Sequence, residues 1–480
     1  MTGEKMTFIR YIILVFSILL STSIYSSQQA LSFTVICMQD VVTSQTTNGT
    51  ENSHWLNDPK RKNLLFSVVA VGQLIGTIPI VPVMQKIGLR YTYTFYGLVA
   101  AFTTLSIPLA VEFGHFFVAL ARVLQGFALG VAFVTVGAIT SHWSVLRESG
   151  TYIAILSCSP QLSSVISMPL ASAFCESSLG WRYLYYTLGA AGLLFSTTFF
   201  LFYEDDPKNH RMVSSRELSA ITTGKEQQSE REKVPYKKIC ADRCMQAVLF
   251  TTFSGNTAFF TFLHFGPTFM NMTLGFDITE TGYSTALPYA LCVLLKIIAG
   301  PLFDILTFIP EKYRLIMFAS VSQGAMAICF CVLSQSGSRL MAQAAYSGAV
   351  AFNGLNIVGS IKCAQMVARQ HVHFVMVCIT ITGCIISFIL PGIVAVLCPH
   401  NTVHEWSRLF LGISVFVVFA NIPFLFLARS EPAPWTKSTP NYRLSVDQSF
   451  RSTAEAGKSI VPPTVASGRP RDATQEVSVA

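Results

Sequence analysis

The feature that most constrains this chain is a set of apolar runs, each about 20 residues long, which is what a helix needs to cross the hydrocarbon of a bilayer. The runs fall at 10–37, 64–84, 92–111, 116–139, 150–174 and 182–203, then at 246–270, 282–303, 313–334, 341–362, 373–397 and 408–428. Inside lipid the backbone must satisfy its own polar groups, and long apolar runs do so as helices. Only 12% of the 480 residues are charged, about half the share in a soluble domain. We therefore expect an all-α membrane protein with twelve transmembrane helices in two six-helix bundles, at 1–203 and 246–430. The segment 204–245 carries mixed charges and reads as a cytoplasmic linker. The segment 431–480, rich in Ser, Thr and Pro, has too few apolar residues to fold alone and reads as a disordered cytoplasmic tail. The run at 11–37 lacks a small-residue cleavage site after it and reads as a retained first helix.

The formal net charge is +8, but the lysines and arginines lie between apolar runs and form no patch suited to nucleic acid. They suit the positive-inside bias instead. Placing both termini in the cytoplasm puts Lys86, Arg90, Arg147, Lys312, Arg314, Lys362 and Arg369 on inner loops, with the cluster Lys60-Arg61-Lys62 opposing the trend outside. The sequons at Asn48 and Asn271 then both face outward, where glycosylation occurs. The 12 cysteines show no metal-ligand spacing. Cys175 and Cys398 fall in outer loops and are the candidate pair; Cys240 and Cys244 read as free thiols. No GxSxG elbow, HExxH, Walker loop or paired-carboxylate motif stands on a loop, which excludes an enzyme and an ATP-driven pump. No cofactor and no metal are expected.

The loop after the second run reads VPVMQKIGLR (81–90) and the end of the eighth reads GPLFDILTFIPEKYR (300–314). Both resemble the G-x-x-x-D-x-x-G-R-K loop of the major facilitator transporters, whose paired bundles rock about a midplane site. That resemblance implies gating roles for Gln85, Gly88 and Arg90 in the first copy and for Gly300, Asp304 and Arg314 in the second. Glycine there lets two helices touch, and the aspartate caps a helix or pairs with arginine. In the first copy, Val81 and Gln85 stand where the motif has Gly and Asp.

The phrases VISMPL (165–170), GWRYLYY (180–186), YEDDPKNH (203–210), TGYSTALPY (281–289) and HEWSRLF (404–410) narrow the likeness. Their order over about 400 residues resembles the anion–cation symporter group, which includes sialin, the vesicular glutamate transporters and the sodium/phosphate cotransporters. The resemblance implies secondary active transport of an anion by alternating access, coupled to sodium, protons or membrane potential. It places Arg122 at the group's span-four arginine, in the frame R-x-x-x-G-x-x-x-G with Gly126 and Gly130. An arginine inside a span costs at least about 2.5–3.5 kcal/mol and calls for a reason; its planar fork of donors suits a carboxylate or phosphate. The other placement is at the outer end of the span, snorkelling to water. The glycines, four apart, suit close helix approach. Where the group commonly carries a glutamate, an arginine and a histidine, this chain has Leu129, Gln28 and Thr252.

Lys296, inside the eighth run, either faces a central cavity opposite Arg122 or snorkels toward Asp304. With Gln28, Gln125, Asn256 and Asn356, these two cations form the candidate substrate site. Asn353, Gln73 and Gln161 suit the pathway or bonds between helices, and His264 reads as a packing residue. Pro160, Pro169 and Pro391-Gly392 are expected to bend helices. The expected partners are a small anionic solute, a coupling sodium ion or proton and the lipid bilayer, with the chain a monomer in the plasma membrane rather than in lysosomes or vesicles. The competing functions are an anion sensor or scaffold that does not turn over and an anion-conducting channel mode.

Overall fold

A computed structural model describes residues 8–38, 41, 56, 58–145, 148–223 and 234–436. All regular elements among them are helical. The described residues up to Pro432 form one compact unit. The tail after 436, the sequon at Asn48, Arg147 and the middle of the linker lie outside the described residues.

The first six spans are built from α1 (Ile9–Thr34), α2 (Pro59–Thr77), α3 (Ile80–Phe113), α4 (His115–Leu129), α5 (Ala132–Trp143), α6 (Ser149–Leu156), α7 (Ser159–Glu176) and α8 (Trp181–Phe202). The linker contributes α9 (Ser215–Thr222) and α10 (Tyr236–Ala241). The second six use α11 (Arg243–Thr268), α12 (Ile278–Ile305), α13 (Glu311–Gln335), α14 (Arg339–Asn353), α15 (Lys362–Ala368), α16 (Val372–Leu397) and α17 (Val403–Leu427). Among the described residues, nine helices are long and apolar enough to cross a membrane. The remaining three spans are broken or more polar. Span two is interrupted at Ile78-Pro79, span seven (α11) carries Thr, Ser and Asn along its length, and span ten contains a π-helical segment at Ile357–Ile361.

Spans two and three meet inside α3 at Gly88, whose φ of +86° breaks the helix. A left-handed backbone is open to glycine and costly for other residues. A Cβ there would also fall 2.2 Å from Asp205 Oδ2. Asp205, just past α8, accepts from the backbone N–H groups of Leu89 and Arg90 at 2.9 and 3.0 Å, capping the first turn of span three. Arg90 pairs with Glu204 at 2.7 Å and donates from Nε to the Phe200 carbonyl. The capping aspartate expected at position 85 thus comes from the far end of span six, and Gln85 is exposed. Gly88→Ala should lower the melting temperature of the purified chain, at a cost of about 1–2 kcal/mol from the backbone alone. A variant that melts with the wild type would show that the turn is not strained.

On this same face the linker helix α9 docks under the first group. Glu217 is fully buried, and its carboxylate accepts from the Arg10 backbone N–H in the first turn of α1. An acceptor at that position satisfies a helix end that has no partner of its own.

At the opposite end, Cys37 is joined to Cys175 by a disulfide. This corrects the expected partner: Cys398 is a free, buried thiol. The reason is local. α1 ends at Thr34, so Cys37 lies in the turn beyond the helix and not within it. Cys240 and Cys244 are free thiols.

The apolar interior has two parts. One core runs across both helix groups, with Phe33, Leu65 and Phe66 from the first and Phe262, Leu390 and Trp406 from the second. The other is built from the first group and the linker helix, with Ile13, Tyr93, Trp143, Phe199 and Ile221. The shared core lies at the disulfide end. Along the boundary α12 packs on α7 and α16 packs on α2. The α12–α7 approach is close: a Cβ on Gly282 would meet Ser172 Oγ at 2.3 Å.

Candidate functional site

The site begins with a seam of small residues. A Cβ on Gly126 would fall 2.0 Å from the Val69 carbonyl oxygen, and one on Gly72 would fall 2.0 Å from that of Val123. A Cβ on Gly130 would fall 2.7 Å from the Gly76 carbonyl carbon and from Thr77 N. Backbones of α2 and α4 therefore touch, which only glycine allows. This contact puts Arg122, one turn before Gly126, against the carbonyls of neighbouring spans.

Arg122 is fully buried, which rules out the snorkelling placement. Its Nη1 donates to the Gln28 carbonyl at 2.7 Å and to Gln125 Oε1 at 2.8 Å, and its Nε donates to the Leu65 carbonyl at 3.2 Å. Gln125 Nε2 in turn donates to Thr104 Oγ1 at 3.1 Å. Gln125 thus sits three residues on because that spacing puts it on the same helix face, where it fixes the guanidinium. Gln28 meets the arginine through its backbone, not its amide. Leu129, at the group's glutamate position, is buried apolar core. No carboxylate contacts Arg122 among the described residues, and Nη2 has no hydrogen-bond partner. A buried charge without a counter-charge is strongly unfavourable.

From the second group comes His264 of α11, also fully buried. Its Nε2 meets Ser387 Oγ of α16 at 3.1 Å, and its Nδ1 is unpaired. The ring stacks on Phe260 and leans on Phe66. The residue before Phe66 is Leu65, whose carbonyl holds Arg122. Phe66 and Phe265 also line a small cleft together with Lys62, Asn63 and Thr268 among others.

Lys296 does not snorkel toward the cytoplasmic end of its helix but turns to the other helix group. Its ammonium reaches from α12 to the first group and donates to the Ser157 carbonyl at 2.9 Å and to Gln161 Oε1 at 3.1 Å. Ser157 sits at the break between α6 and α7, just before Pro160. Lys296 is half-buried and bridges the two groups. We expect Lys296→Met to alter turnover about 5- to 10-fold, the scale of a partly exposed charged hydrogen bond, with KM within about 2-fold. A tenfold rise in KM with unchanged turnover would place the ammonium on the solute instead.

The asparagines form a separate cluster in the second group. A Cβ on Gly255 would fall 3.0 Å from Gln323 Nε2, 3.1 Å from Asn356 Nδ2 and 3.6 Å from Asn353 Oδ1. Asn356 accepts from Ser360 Oγ, and Gln323 donates to the Thr251 carbonyl while its Oε1 is buried and unpaired. Sequence reading missed Gln323; the signal was a lone amide midway along the ninth run. Asn256 is half-buried and faces Gly383 of α16.

The remaining expectations are scattered. Gly300, expected to let two helices touch, has nothing within 4 Å of the place a Cβ would take, so it mediates no close contact here. Arg314 donates to the Phe303 carbonyl at 2.8 Å and lies over the Phe303 ring. The side chain of Asp304 lies outside the described residues. Asn271 is half-buried and donates to the Phe276 carbonyl.

Helices long and apolar enough to cross a membrane, with a cation buried among the first six, suit a membrane carrier. The Major Facilitator Superfamily model matches residues 12–391, and the chain belongs to that family. It is similar to sialin of Homo sapiens, 28% identical over 79% of this chain and 77% of that one. It is similar to sodium-dependent phosphate transport protein 1 of Oryctolagus cuniculus, 23% identical over 91% and 97%. It is also similar to vesicular glutamate transporter 1 of Xenopus tropicalis, 24% identical over 81% and 69%. Among solved structures, the fold matches a D-xylose-proton symporter with a TM-score of 0.66 at 13% identity, over 88% of this chain and 98% of that one. A bacterial homologue of the human lysosomal transporter Spinster, inward-facing and occupied, matches with a TM-score of 0.64 at 14% identity, over 88% and 97%.

Proposed function

We propose that this transporter carries a small anion, a carboxylate or phosphate, by alternating access of the segments 1–203 and 246–430, coupled to sodium, protons or membrane potential. One observation carries the reading: a fully buried guanidinium, free of any carboxylate contact among the described residues, keeps Nη2 unpaired. An anion supplies both the missing acceptor and the missing charge. The names of the relatives, covering sialin, phosphate and glutamate transporters, agree with an anionic solute. The Cys37–Cys175 disulfide supports an oxidising compartment at that end of the helices, hence both termini in the cytoplasm. The plasma membrane and a monomer complete the proposal.

The test is uptake of labelled phosphate, glutamate and benzoate by the purified chain in liposomes, under imposed proton, sodium and voltage gradients. Saturable uptake driven by one of these gradients is expected. Saturable binding of an anion without uptake would turn the reading to a sensor with a transporter fold, and currents too large for a carrier would turn it to a channel.

A further inference from the structure

We propose that the carried anion is held by both helix groups at once, by Arg122 Nη2 from α4 and by His264 Nδ1 from α11, with Ser387 setting the imidazole. This rests on the anion reading above and adds the residue through which the second group takes part. Two observations meet at one place. Nη2 and Nδ1 are both buried without a hydrogen-bond partner, although buried polar atoms are nearly always paired. They belong to opposite groups and are linked through two adjacent residues: the Leu65 carbonyl takes Arg122 Nε, and the ring of Phe66 lies 5.7 Å from the His264 ring.

Each group presents its atom through a fixed mount. Arg122 is tied by Nε and Nη1 to Leu65, Gln28 and Gln125, so Nη2 is the part of the fork left over. Among the described residues, Ser387 Oγ has no other hydrogen-bond partner than the imidazole. In the proposed site its hydroxyl donates to Nε2, so that the ring proton sits on Nδ1 and makes Nδ1 a donor. The surroundings of the ring are Phe260, Phe66 and Phe265. These aromatic walls keep water from competing for the two donors. One N–H fork and one imidazole N–H match the two oxygens of a carboxylate, and the phenyl rings match an apolar body attached to it. A free phosphate offers more oxygens than this mount has donors.

The arrangement has a consequence for movement. The donors meet only while the two groups are packed at the disulfide end, where the shared core crosses between them. An anion that needs both donors binds this packed arrangement better than one in which the groups part there, and so shifts the population toward it.

The test is ligand-induced thermal stabilisation of the full-length chain in detergent, titrated with benzoate and with inorganic phosphate. His264→Gln keeps an amide where Nε2 meets Ser387 and removes the Nδ1 donor, whereas His264→Asn keeps a donor near Nδ1. We expect benzoate to stabilise the wild type at lower concentration than phosphate. His264→Gln should raise the half-saturating benzoate concentration about 10- to 100-fold, the scale of a hydrogen bond to a charged group, and His264→Asn by no more than about 3-fold. If Arg122→Gln loses the stabilisation while His264→Gln keeps wild-type affinity, His264 is not part of the site. Equal losses in His264→Gln and His264→Asn would make the histidine a packing residue only. Tighter binding of phosphate than of benzoate would overturn the carboxylate assignment, and a wild type that neither anion stabilises would overturn the anion reading itself.

Discussion

Arg122→Gln is expected to abolish uptake, by at least about 100-fold, without loss of folded protein. The magnitude follows from removing one partner of a desolvated charge pair, which costs about 3–5 kcal/mol, each 1.4 kcal/mol being tenfold. The stability of the empty chain should move in the opposite direction from activity. In the wild type the guanidinium is buried, held by three oxygens of neutral groups, and lacks a contacting carboxylate. Glutamine carries no charge into that place, so the unliganded variant should melt at or above the wild-type temperature. Arg122→Lys should fare nearly as badly in uptake, since a point charge cannot keep Gln28, Leu65 and Gln125 engaged while offering a further donor. Uptake and melting of the three chains decide the matter. A glutamine variant that transports normally would make Arg122 a helix-packing bond, and one that unfolds would make it a structural keystone.

How much of this was legible in the sequence depends on the distance over which each feature is decided. Span positions are set within about 20 residues by the thickness of the membrane, and α1, α8, α13 and α17 fall where the apolar runs place them. The breaks inside spans two, four and ten escape a hydropathy reading, because a turn such as Ile78-Pro79 is as apolar as its surroundings, whereas the break at Ser157-Cys158 lies just before Pro160, which marks a bend in the sequence. Arg122 stood out because a charge in lipid is conspicuous. Its partners did not, since two are backbone carbonyls that look alike in every sequence. Asp205 was hidden by more than a hundred residues between it and the turn it caps. Cys37 was misjudged because one helix end lay three residues earlier than the apolar run suggested. His264 looked like an ordinary aromatic neighbour; only the structure shows that one ring nitrogen is mounted on Ser387 and the other left bare. Lys296 was ambiguous in sequence because reach is a matter of which helix faces it, and the carbonyl that it takes belongs to the other group.

The second large effect concerns the glycine seam. Gly126→Ala should destabilise the chain severely, and Gly126→Leu should leave no folded protein to purify. The ideal Cβ position at Gly126 falls 2.0 Å from the Val69 oxygen and 2.9 Å from the Val69 Cα. These are backbone atoms of α2 that cannot rotate aside, so the helices must separate by more than an ångström along a contact that Gly72, Gly76 and Gly130 share. Overpacking of a tight contact costs about 1–3 kcal/mol and more when backbones must shift. The seam also sets the site: Arg122 Nε reaches Leu65 on α2 at 3.2 Å, a bond that is lost once α2 and α4 move apart. Gly126→Ala should therefore lower the melting temperature and weaken anion binding together, whereas Gly412→Ala, in open surroundings on α17, should change neither. Yield, melting and benzoate affinity of the two variants provide the comparison. A Gly126→Ala chain that keeps wild-type melting but loses the anion would mean that the seam serves the site alone. One that loses stability but keeps its affinity would mean that Arg122 is positioned by α1 and Gln125 without help from α2.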